Sequence, residues 1–235
     1  MLEITNLQRH DKATMNYQRK ILALYGLLLP VLAPLMGFIA YDRNGSTFWY
    51  SISATFYASS NIFMIGVLAI FAFFLWTYKG YDIGDEFTCK FSSVCALGIL
   101  VFPCATEAAG ETTGVLNFPT NVSHTIHCVI AALLFGSFAY MIGWRFTKSD
   151  VNHQKTTGKY SRNTCYKCCA GIIILTMLAQ VVSSVFDWKF MTIINEAIML
   201  WSFSFAWYVK AGGVRGLNDV FYDLTSKPPG TIELE

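Results

Sequence analysis

The sequence predicts an all-α membrane bundle of six transmembrane helices with both termini cytoplasmic, and three observations carry that expectation. Six apolar runs come close to the length that crosses a hydrocarbon core, about 20 residues. Only 14% of the residues are charged, against about a quarter in an ordinary soluble domain. The lysines and arginines that do occur gather in alternate connections, the asymmetry that orients a multi-pass chain.

The elements follow in order. A basic tail, residues 1–20, carries Arg9, Lys12, Arg19 and Lys20 and precedes the first run, Ile21–Tyr41. Pro30 and Pro34 inside that run predict a kink, which a bundle tolerates where neighbouring helices satisfy the freed carbonyls. The run is too long for the apolar region of a signal peptide and no small-x-small site follows it, so no cleavable leader is expected. Phe48–Tyr57 is aromatic-rich but too short to cross. It is read as a short lid or re-entrant segment in the first outer loop, within "STFWYSISATFYASS" (46–60).

The second run is Ser59–Tyr78, followed by Lys79 in a short inner loop. The third, Phe87–Ala105, is the weakest, with Lys90 near its start and Pro103 near its end. After the outer loop 105–122 comes His124–Phe146, then a basic loop with Lys148, Lys155, Lys159, Arg162 and Lys167. Cys168–Phe186 and Phe190–Val209 complete the set. Lys210, Arg215 and Lys227 follow, and the segment 211–235, with its Pro-Pro-Gly, is expected to be a disordered cytoplasmic tail. The opposite connections hold only Arg43 and Lys189, beside Glu107 and Glu111. The expectation is one membrane domain, 21–210, in the plasma membrane or an endomembrane. Trp49, Tyr50 and Tyr57 at the outer side, and Trp76, Tyr78, Tyr81, Trp144, Trp207 and Tyr208 at the inner, fall where interfacial aromatics belong.

A net charge of +2 with no basic run excludes a nucleic-acid surface. "CYKCC" (165–169) lies at the inner mouth of the fifth span, where palmitoylation is the functional reading and small apolar packing the bland one. Cys104 and Cys128 share the outer third and would bridge only if spans three and four are neighbours. Asn121-Val-Ser123 matches a glycosylation sequon but stands too close to the bilayer for easy modification.

Polar side chains inside a span are costly and tend to face the bundle interior. His124 stands at the mouth of span four and His127 about a turn inside it; Asn61 is shallow in span two. Gln180 and Glu196 lie at similar depth in spans five and six. A channel or proton relay needs polar groups along its whole path, and this column stops midway. The pattern points to an outward-facing polar pocket for a membrane lipid or small amphiphile. Its expected lining is His124, His127, Glu196, Asn61, Gln180, Ser53, Tyr57 and Glu107. His127 and Glu196 are expected to meet, with Asn61 or Gln180 completing the group. The alternative is Glu196 bonded to hydroxyls such as Ser53 or Thr55.

A second reading is an intramembrane metal-dependent hydrolase or transferase of lipid head groups. No catalytic residue, metal or cofactor is expected; a zinc ion would have to take two nitrogens from His124 and His127 and one oxygen from Glu196, Glu107 or Asp187. Intramembrane hydrolases of the ceramidase and progestin-receptor superfamily carry Ser-x-x-x-His and a late His-x-x-x-His. Here Tyr57 stands four after Ser53, and span six has no histidine.

"SIS" (51–53), "YKGYD" (78–82), His127 with Ala131 and Phe135, and Glu196 together resemble the six-span Frag/DRAM/Sfk group of eukaryotic membrane proteins. "SISATFY", "YKGYD" and "ALGILVFP" (96–103) look closer still to a bacterial set with an SISxYY…YKGYD…ALGxxLFP pattern. The resemblance spans residues 21 to 210 and implies lipid-linked or trafficking roles rather than a reaction. Lys79 and Asp82 of "YKGYD" are expected to form an exposed pair that helps fix orientation.

Overall fold

The computed structural model describes residues 2–39, 51–58, 61–80, 82–106, 109–148, 157–214 and 217. Six long helices carry them: α1 (Leu2–Ile39), α2 (Asn61–Thr77), α3 (Ile83–Val101), α4 (Thr120–Tyr140), α5 (Thr157–Val185) and α6 (Lys189–Lys210). A short 3-10 turn, Ser53–Tyr57, precedes α2, and a π-helical turn, Met141–Arg145, widens the end of α4. A two-residue hairpin, β1 (Thr112–Thr113) and β2 (Phe118–Pro119), leads into α4. Gly114 in its turn has φ +75°, and a Cβ there would meet Val101 O at 2.6 Å, so only glycine fits.

Four stretches are long and apolar enough to cross a membrane: Ala13–Met36, Thr120–Arg145, Gly158–Val185 and Phe190–Lys210; α2 is a shorter apolar helix. Their outward faces are what a bilayer would cover. Leu175, Leu178 and Val182 of α5, Phe73 of α2 and Val129 of α4 lie open on the outside of the bundle. A soluble monomer seldom exposes so much contiguous apolar surface. Several helices begin before the apolar runs: α1 at Leu2 rather than Ile21, and α5 at Thr157 rather than Cys168. Helix propensity and packing do not stop where hydropathy does. α1 continues through Pro30 and Pro34.

α6 packs between α1 and α5, and α2 and α3 continue the bundle toward α4. The interior is aromatic: Phe203 lies 4.1 Å from Phe138 and 5.5 Å from Phe71, centroid to centroid. Tyr78 and Trp207, expected at the interface, are instead fully buried and meet edge to face at 5.0 Å. Arg19 Nε donates to the Tyr78 hydroxyl at 3.1 Å, which satisfies the phenol away from water. Trp76, Trp144 and Tyr208 are exposed, as expected of belt residues; Trp49, Tyr50 and Tyr81 fall outside the described residues.

α3, expected as the weakest span, is not among these apolar stretches, and its polar groups are paired one after another along α4. Arg145 Nε donates to Asp85 Oδ1 at 2.7 Å, Cys89 Sγ lies 3.4 Å from Met141 Sδ, and Ser92 and Ser137 share a 2.6 Å bond. Further along, His127 Nδ1 lies 2.8 Å from Phe102 O, and Ser123 Oγ donates to Pro103 O at 2.8 Å. Each partner pair keeps nearly the same residue-number sum, so the two helices run antiparallel in one register. Ser93 reaches Ala72 O on α2, and Ser204 reaches Ala23 O on α1. These hydroxyls join neighbouring helices, the role polar residues play between helices in lipid.

"YKGYD" belongs to this scaffold. Asp82 caps α3 by accepting from Asp85 N at 3.0 Å and is held by Arg145 and Lys148. The expected pairing with Lys79 does not form; Lys79 is exposed, and Arg145 reaches Asp82 from the end of α4. A Cβ on Gly80 would sit 2.0 Å from Asp85 Cβ, so the motif's glycine lets the chain pass the α3 start.

Candidate functional site

The polar group that an apolar helix accommodates least readily is Glu196 on α6. Among the described residues, no histidine bonds to it. Ser51 Oγ donates to its carboxylate at 3.0 and 3.1 Å, Ile52 N–H at 2.5 Å and Ser53 Oγ at 3.4 Å. A carboxylate has about four lone-pair directions, and the tripeptide "SIS" fills most of them. The 3-10 turn follows directly, and Thr55 Oγ1 donates back to Ile52 O at 2.6 Å. Ile52, Ala54, Thr55 and Ala58 are buried, so the segment 51–58 is tucked down into the bundle. Residues 46–50 and 59–60 of the expected lid lie outside the described residues.

His127 and Glu196, expected to meet, each take other hydrogen-bond partners. No direct bond joins them among the described residues; His127 is buried against Phe102 O, and Glu196 is taken by Ser51, Ile52 and Ser53. The physical reason is adjacency: α4 has α3 along its whole length, whereas α6 is flanked by α1 and α5. Of the alternative hydroxyl partners, Ser53 is found at Glu196, joined by Ser51 and the Ile52 N–H, whereas Thr55 donates to Ile52 O.

The other expected lining residues scatter. Gln180 bridges the α5–α6 hairpin, donating to Thr192 Oγ1 at 3.0 Å and accepting from Asn195 Nδ2 at 2.9 Å. Asn61 is exposed at the start of α2. His124 is exposed and accepts from Ala105 N–H through Nδ1 at 3.1 Å. Tyr57 donates to Cys104 O at 2.7 Å and shares a 2.8 Å bond with Thr113, tying the 3-10 turn to the α3–α4 connection. Burial pushes the Tyr57 hydroxyl above its usual pKa, with the Thr113 bond opposing. Glu107 falls outside the described residues. Cys104 and Cys128 are separate thiols, and the sequon's Ser123 is buried with its hydroxyl engaged by Pro103 O.

Among the described residues, no group of three or more His, Cys, Asp or Glu side chains is placed to hold a metal ion. Below the latch lies a void of about 20 Å³ lined only by apolar and aromatic side chains, including Leu29, Val67, Phe71, Leu134 and Leu200. Ile52 packs with Leu29, Ala33 and Leu200 and so stands at its head. The arrangement is a buried carboxylate above an apolar crevice, with one short segment closing both.

Sequence reasoning missed Ser51 and Ile52 as the principal partners of Glu196, and Arg145 with Asp85 as the main buried ion pair. The signal for the latter was present. Both charges sit at the edges of apolar runs that an antiparallel register would bring level.

No family model and no solved structure matches the chain. A 22-residue stretch is 86% identical to part of the glutamine-hydrolysing GMP synthase of Lachnospira eligens, covering 9% of this chain. The match spans 4% of that protein's length, which shows no family.

Proposed function

We propose that the chain is a six-span membrane protein that binds or senses a lipid or small amphiphile in the outer half of its bundle. The observation that carries the reading is the Glu196 latch: a carboxylate inside an apolar helix, closed over by "SIS" above an apolar crevice. A ligand with hydrogen-bond donors on its head would replace Ser51 and Ile52 at Glu196, and its tail would need Ile52 and the segment 51–58 to move aside. Likeness to the Frag/DRAM/Sfk group is part of this proposal, supported by the structural roles of Glu196, "SIS" and "YKGYD". So is the orientation with both termini cytoplasmic.

Two measurements test it. Single cysteines replacing Lys155 and Glu111 in a cysteine-free background should be labelled by an impermeant maleimide from opposite faces. Labelling of both from outside removes the six-span topology. In detergent, a fluorescent single-chain lysophospholipid should bind saturably, and Glu196→Gln should weaken it more than His124→Ala does. Equal affinities for all three proteins would show ordinary partitioning and sink the pocket; the reverse order would move the site to the rim.

A further inference from the structure

The opposite end of the bundle, where α4 finishes and α5 begins, holds a polar feature that the latch does not explain. Beyond the π-helical turn the chain leaves α4 through Phe146, Thr147 and Lys148. Lys159 of α5 donates to Phe146 O at 3.4 Å and to Lys148 O at 3.0 Å. Lys210 of α6 donates to the same Phe146 O at 3.5 Å. Two ammonium groups from different helices thus meet at one carbonyl, within about 7 Å of each other, where like charges repel.

The surroundings add positive charge. Arg19, Lys159 and Arg162 are the cations that act on Lys210, with Asp85 opposing them. The nearby acids of α3 are engaged: Asp82 and Asp85 by Arg145, Asp82 also by Lys148, and Glu86 by Lys90. Lys159 and Lys210 have further partners in the fold, so convergence is the observation here, and no vacancy is implied. A helix C-terminus draws a cation to its last carbonyls. One lysine would serve that purpose; here two share an oxygen.

Depth identifies what could neutralise them. Trp144, Tyr160 and Tyr208, respectively 63%, 72% and 44% exposed, lie on the same three elements. Tryptophan and tyrosine concentrate at the level of lipid head groups. Lys159 and Lys210 are half-buried. Basic pockets between transmembrane helices at that level hold anionic head groups.

We propose that Lys159 and Lys210 form a binding site for a phosphate group carried by an anionic phospholipid of the adjoining leaflet. The site rests on the membrane reading of the chain and is independent of the Glu196 latch.

The test uses the full chain in detergent, with the unfolding temperature followed by tryptophan fluorescence. Dioleoyl phosphatidic acid, dioleoyl phosphatidylcholine and inorganic phosphate are added in separate arms. Phosphatidic acid should raise the unfolding temperature by several degrees and saturate; phosphatidylcholine should not. Lys159→Gln with Lys210→Gln should remove the gain, while Glu196→Gln keeps it and so separates this site from the latch. A matching, lysine-dependent gain from inorganic phosphate would overturn the lipid as carrier. Equal gains from both lipids, or a gain that survives the double substitution, would overturn the site. Should the double variant not fold, the wild-type protein in nanodiscs decides. Brominated phosphatidic acid should quench its tryptophans more than brominated phosphatidylcholine, and salt of about 0.5 M should shrink the difference. Equal quenching at low salt overturns the proposal.

Discussion

Arg145→Leu is expected to destabilise the bundle by about 3–5 kcal/mol, the cost of leaving a buried charge without its partner. Arg145 and Asp85 are 7% and 8% exposed, and their 2.7 Å contact joins the end of α4 to the start of α3. The neighbourhood leaves little room for readjustment. A Cβ on Gly84 would lie 2.8 Å from the Arg145 guanidinium, and one on Gly80 would lie 2.0 Å from Asp85 Cβ. Asp82 is about half exposed and keeps Lys148, so it tolerates the loss better than Asp85 does. Adding Asp85→Leu should therefore recover much of the stability, because two apolar groups replace an ion pair at little net cost. Denaturant titration of the purified protein in detergent measures both variants. A single substitution costing under about 1 kcal/mol would show that water reaches the pair and that it does not hold α3 in place.

Glu196→Ala should release the segment 51–58 from the bundle. The substitution removes the acceptor of Ser51, Ile52 and Ser53 together, and the Ile52 N–H has no other bond in the latch. An unsatisfied buried donor costs about 1–3 kcal/mol, and a hydrogen bond to a charged group contributes about 1.5–3 kcal/mol. The expected sum exceeds what a short turn contributes by its own contacts, so the segment should open rather than stay in place with orphaned groups. Amide exchange across Ser51–Ala58 should rise by at least about a hundredfold, an opening free energy lower by about 2.7 kcal/mol. Glu196→Gln should fall between, since the amide keeps one acceptor oxygen. Unchanged exchange in the alanine variant would mean that Ile52, Ala54 and Ala58 hold the segment by packing alone.

His127 and Glu196 show how much of the site was legible. Their depth followed from counting residues along an apolar run, and so did the need for each to have a partner. Which partner was not legible. His127 found the carbonyl of the residue that caps the C-terminus of α3, and Glu196 found a loop about 145 residues away in sequence. Gln180 likewise behaves as a polar group joining two helices, but the helices are α5 and α6, so it serves the hairpin and not the pocket. The aromatic belts were partly legible for the same reason. Tyr78 and Trp207 have the right depth for an interface, yet they face the interior, and depth along a run says nothing about which side of a helix meets a neighbour.

By itself the sequence determined that this is a helical chain with several helices apolar enough for a bilayer, and where along each helix the costly groups lie. Those are one-dimensional properties: transfer free energy sums over a run of residues, and helical rise converts residue count into depth. The tertiary structure alone decided that α3 and α4 share a register from Asp85–Arg145 to Phe102–His127, that "SIS" closes over Glu196, and that two lysines meet at Phe146. Each of these depends on which helices are neighbours and how they are rotated. That choice is made by the packing of whole faces, in which every buried polar group settles for whichever partner the winning arrangement brings within reach.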